Sequence, residues 1–194
     1  YKEALAIAHE IGYRLGESYQ LLGLSRVLQA KGLLMEAEMR CQEALAMDMS
    51  ETSYQAMLVL GIVLLNRCKL SADKRFKDAI AYCQGLLDKT PDLYDPRYAL
   101  AAALVGQAVC DPRWTDESQH SDLLAPALAE YRRALEITAA PGVVQDAIRD
   151  LELIQAAGIE GLEPVFELLE RAEYKPDCPE DLSDILEDLD LTDL

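Results

Sequence analysis

The chain has 194 residues, is 51% apolar but only 6% aromatic, and carries a net charge of −17. So large an acid excess argues against a nucleic-acid partner and against an anionic membrane surface, because both depend on clustered Lys and Arg. Ala and Leu dominate and β-branched or aromatic runs are scarce, so the expected fold class is all-α, helices packed on helices. No apolar run approaches membrane-spanning length, and the opening "YKEALAIAHE" is charged and helix-periodic, unlike a signal peptide. The five cysteines are odd in number, widely spaced and lack a CxxC, which reads as small buried thiols in a reducing cytoplasm.

In chain order, residues 1–11 read as the second helix of a truncated unit spanning about 1–12, with Gly12 after it. The chain opens without Met inside this helix, so it is read as a fragment of a longer protein. The segment "LLGLSRVLQAKG" then runs into "MEAEMRCQEALAMDM". Ala37, Cys41 and Ala44 fall four and then three apart, on one helix face, where small side chains let another helix lie close. The pattern returns as Ala79, Cys83 and Leu86, and again as Ala127, Tyr131 and Ala134. A helical segment precedes each one, carrying Leu24-Ser25, Leu60-Gly61 or Leu100-Ala101, with Leu28, Leu64 or Leu104 following. Stop signals close the units, which span about 18–50, 52–91 and 94–140. Residues 141–173 read as a closing helix pair, opened by Pro141-Gly142 and divided at Gly158.

Residues that could carry chemistry are few. His9 sits on the first helix, and His120 lies in the acidic stretch "VCDPRWTDESQHSD" without HxxxH or CxxC spacing. No metal site, cofactor site or catalytic constellation is assigned, and the chain is read as a non-enzyme. Trp114 is expected to pin this stretch to the scaffold, and Cys41 and Cys83, in the packing register, are expected to be inert.

The recurring register resembles the tetratricopeptide repeat, a helix–turn–helix unit of about 34 residues. The match covers roughly residues 18–140. Gly61 keeps the Leu-Gly pair, Tyr131 the aromatic and Pro91 the closing proline. The resemblance implies an α-solenoid of antiparallel helix pairs, a right-handed superhelix. Measured from Ser25 to Ala37, Gly61 to Ala79 and Ala101 to Ala127, the second and third units carry insertions of about six and about fourteen residues. More weakly, "YRRALEITAAPGVVQDAIRDLELI" resembles the end of repeat arrays in bacterial STAND-type signalling ATPases, although no GxxxxGK[ST] motif is present.

The repeat resemblance places a concave groove on Tyr19, Leu22, Arg26 and Gln29, then Gln55, Leu58, Ile62, Leu65 and Asn66, then Tyr98, Ala102 and Val105. Positions that clamp a peptide carboxylate in some family members carry Leu22, Arg26, Val59, Asp95 and Ala99 here, so an apolar helix or extended hydrophobic segment is the expected ligand. One basic cluster stands out: Arg67, Lys69, Lys74, Arg75 and Lys77. The tail 174–194 holds eight acids and one Lys, with Leu182, Ile185, Leu186 and Leu189 at helical spacing, which suits either a short amphipathic helix able to dock on the array or a partner, or a disordered, merely solubilising tail. The expected function is a protein–protein interaction scaffold binding a peptide or helix, as a sensor or interaction region of a larger bacterial protein. The alternative is a regulatory module signalling to an upstream NTPase or other catalytic domain.

Overall fold

A computed structural model describes residues 1–67 and 70–173. The described residues form α-helices and two short 3-10 turns, with no strand among them. The helices are α1 (Lys2–Glu10), α2 (Arg14–Ala30), α3 (Leu34–Ala46), α4 (Ser53–Asn66), α5 (Ala72–Leu87), α6 (Tyr94–Cys110), α7 (His120–Ile137), α8 (Pro141–Gln155) and α9 (Glu163–Glu173). The expected tail-docking residues Leu182, Ile185, Leu186 and Leu189 lie outside the described residues, as do Cys68 and Lys69.

Each helix from α1 to α6 packs on the next, and α8 packs on α9. The even-numbered helices also touch one another, α2 on α4 and α4 on α6, so they make one layer with α3, α5 and α7 behind them. The small residues do what their spacing requires. Ala37, Cys41 and Ala44 are buried, as are Ala79 and Cys83, and Ala127, Tyr131 and Ala134. In the second set Leu87, not Leu86, takes the third buried place, one residue further round the helix. The first crossing shows how close the approach is. Ser25 Oγ donates to the Ala37 carbonyl at 2.9 Å and lies 2.9 Å from Cys41 Sγ, so α2 and α3 touch almost backbone to backbone.

Phe76 of α5 fills the next crossing. It is fully buried, and its ring edge lodges between α4 and α6. A Cβ on Gly61 would meet the ring at 2.7 Å, and one on Gly106 at 2.3 Å. The glycine of the Leu60-Gly61 pair is therefore a seat for an aromatic ring from the neighbouring helix.

The insertions are absorbed mostly as helix. α3 begins three residues before Ala37, whereas α5 and α7 each begin seven residues before Ala79 and Ala127, one extra turn apiece. The rest of the third insertion forms the 3-10 turns Pro112–Thr115 and Glu117–Gln119, capped by Asp111 and Asp116, which accept from the backbone N–H of Arg113 and Ser118. Trp114 is half-buried against the core and stacks on His120 with ring centroids 4.0 Å apart. The His120 Nε2–H donates to the Trp114 carbonyl at 2.7 Å. On its other side the imidazole leaves no room for a side chain on Gly161, which has φ +87° in the connection between α8 and α9.

The closing pair departs from a simple end-cap. α8 packs on both α4 and α6, and α9 packs on α7. α8 therefore lies along the inner layer, and its C-terminal half reaches α2.

Candidate functional site

Arg26 of α2 and Asp150 of α8 define the centre of this inner surface. Arg26 Nε and Nη2 donate to the two carboxylate oxygens at 2.9 and 3.0 Å, a bidentate pair between residues 124 apart in sequence. Asp150 is buried and Arg26 is partly so. Nearby, Asn66 Nδ2 donates to the Leu153 carbonyl at 2.7 Å and to Ile62 of its own helix at 3.0 Å. Tyr98 donates its hydroxyl to the Thr138 carbonyl at 2.8 Å and tilts against Tyr131, centroid to centroid 6.1 Å. Burial pushes the Tyr98 phenol up to about 12.

Between these contacts a cavity of about 390 Å³ opens where α2, α4, α6 and α8 meet. Tyr19, Leu22, Arg26, Gln55, Leu58, Tyr98 and Ala102, all expected groove positions, line it. The other wall is Val143, Asp146, Ala147 and Asp150 of α8, a contribution invisible to reasoning within one repeat. Leu65, Asn66, Ile62 and Val105 do not reach this cavity. Leu22, Leu58, Ile62 and Val105 are almost wholly buried and belong to the core, so they offer a ligand little apolar surface. A charge at Leu58 or Ile62 would break the core instead of probing a surface. Gln29 is also buried, with neither amide atom hydrogen-bonded among the described residues.

What the cleft does expose is polar and aromatic. Tyr19 and Asp95 also form a wall of a second cavity of about 320 Å³, completed by Glu51, Tyr54, Leu86, Leu93, Tyr94 and Pro96. Burial and the neighbouring Asp146 raise the Asp95 carboxyl above the ordinary carboxylate value, and burial and Asp95 raise the Tyr19 phenol. At Glu51 the Ser50 hydroxyl and its own backbone amide hold the carboxyl lower than usual, so it is ionised.

Elsewhere the candidates for chemistry are occupied. Arg67 is paired with Glu38, Lys74 and Arg75 with Asp78, and Lys77 with Asp73, so the described members of the basic cluster are neutralised locally. Burial raises the thiols of Cys41 to about 11, Cys83 to about 12 and Cys110 to about 11, which leaves them un-ionised at neutral pH. Among the described residues no group of three His, Cys, Asp or Glu side chains is placed to hold a metal, and no helix is long and apolar enough to cross a membrane. Compared with family models, curated proteins and solved structures, the chain matches none.

Proposed function

We propose that this chain is a non-enzymatic interaction scaffold, a tetratricopeptide-like solenoid that binds a polypeptide segment in the cleft between α2, α4, α6 and α8. The repeated pairs α2–α3, α4–α5 and α6–α7, with the first helix of each in one layer, support the repeat reading. The observation that carries the function is the cleft itself: residues from four helices far apart in sequence converge on it, and its mouth presents tyrosines and amides. Tyrosine supplies contact area and a polar tip at low entropic cost, which suits a recognition surface. Because Leu22, Leu58, Ile62 and Val105 are core, the ligand this reading favours is a polar or mixed segment, not the apolar helix or extended hydrophobic segment that the sequence favoured.

A displayed random-peptide library, panned on the full chain and on Gln55→Trp, tests the proposal. Gln55 is half-buried in the cavity wall, so a tryptophan there obstructs the cleft. Peptides retained by the wild type and lost from a variant with unchanged melting temperature support it. Failure to retain any peptide, or equal retention by both proteins, refutes it.

A further inference from the structure

The cavity beside the central cleft has a chemistry of its own. Its aromatic walls come from the first helix of each repeated pair: Tyr19 from α2, Tyr54 from α4 and Tyr94 from α6. Tyr54 is buried, whereas Tyr19 and Tyr94 are 42% and 40% exposed and leave ring surface open to solvent. Two carboxylates, Glu51 and Asp95, share the rim, and no Lys or Arg lines the cavity. Neither carboxylate has an ion-pair partner among the described residues, and the nearby Arg97 is spent on Glu130 and the Pro91 carbonyl. Leu86, Leu93 and Pro96 add aliphatic surface, so the cavity suits a cation carried on an apolar stem: ring faces are negative, the carboxylates supply formal countercharge, and the aliphatic wall takes the methylenes.

We infer that this cavity is a subsite for the cationic side chain, lysine or arginine, of the bound polypeptide, held between Tyr19 and Tyr94 with Glu51 and Asp95 as counter-ions. The inference rests on the peptide-binding reading above and specifies its ligand. Tyr19 and Asp95 wall both cavities, so a segment lying in the central cleft places a neighbouring side chain within reach of the subsite. The net charge of −17 adds long-range attraction for a basic partner and predicts salt-sensitive association.

The same library, panned on the full chain, decides the point. Retained peptides are expected to be enriched in Lys or Arg at one fixed position. In a retained arginine peptide, replacement of that arginine by citrulline, which keeps the shape and removes the charge, is expected to weaken binding about tenfold. Glu51→Gln with Asp95→Asn should weaken the arginine peptide by a similar factor and leave the citrulline peptide unchanged, since both substitutions are isosteric and lie at the surface. Retained peptides without basic enrichment, or equal affinities for arginine and citrulline, would overturn the subsite and leave the peptide-binding reading intact. Failure to retain any peptide overturns both.

Discussion

Gly106 offers the sharpest test of the packing, because the sign of its substitution is decided by one ring. In the interior of a helix, Gly→Ala ordinarily stabilises by about 0.5–1 kcal/mol through backbone entropy. At Gly106 the new Cβ would sit 2.3 Å from Phe76 Cε1, and the ring is already pressed against Gly61 from α4. Reaching ordinary contact demands a ring shift of roughly 1 Å in a close-packed core, and overpacking of this kind costs about 1–3 kcal/mol. With the clash in the upper half of that range, Gly106→Ala should destabilise by about 1–2.5 kcal/mol net, a fall in Tm of roughly 2–10 °C for a chain of this size. Gly85, on α5, has no atom within 4 Å of where a Cβ would lie, so Gly85→Ala should stabilise by about 0.5–1 kcal/mol. Phe76→Leu opens space and costs about 1–2 kcal/mol alone. In that background the Gly106→Ala penalty should shrink by at least about 0.5 kcal/mol. Urea unfolding followed by far-UV circular dichroism compares the four variants with the wild type. Equal signs for the two glycine substitutions, or strict additivity with Phe76→Leu, would show that the ring is not seated where the structure puts it.

Removing Arg26 strands the buried Asp150 carboxylate, so Arg26→Met should cost about 3 kcal/mol or more, and the added replacement Asp150→Asn should recover part of it; denaturant midpoints give the comparison. Asp95→Asn should raise Tm at neutral pH. The Asp95 carboxyl is raised in the folded state, so the folded chain bears a penalty for keeping it ionised, and that penalty lifts as pH falls through the folded-state value and the native state takes up the proton first. The gain should therefore fade in acid, and scans of wild type and variant between neutral and acidic pH would reveal a constant gain if the reasoning fails. Cys41 and Cys83 should resist iodoacetamide in the native protein at neutral pH and react after unfolding; peptide mapping by mass spectrometry that finds either one labelled natively would contradict their burial.

Much of the architecture was legible in the order of residue sizes. Ala37, Cys41 and Ala44 announce a close crossing because only small side chains fit one, and the helix ends at Ala46, Leu87 and Ile137 follow from local stop signals. The central cavity was legible only in part. Of the positions that the repeat resemblance placed in a groove, Tyr19, Arg26, Gln55 and Tyr98 line one cavity, but the resemblance could not tell exposed positions from covered ones. Whether Ile62 or Val105 faces solvent depends on what lies over it, and α8 packs on both of their helices. The signal for α8 is a salt bridge spanning 124 residues, and a lone Arg and a lone Asp so far apart have no local signature. Phe76 was overlooked for the same reason, since its importance comes from glycines on two other helices.

The Arg26–Asp150 pair bears on how this row of helices yields to stress. In a stack held only by nearest neighbours, the end elements fray first and the remainder survives. Here a guanidinium on α2 grips a carboxylate on α8, so two helices far apart in the chain are tied directly to each other. Peeling away α8 exposes a stranded arginine on α2, and loosening α2 releases α8 in turn. Amide hydrogens on those two helices should therefore exchange together, as one event, although well over a hundred residues of chain lie between them.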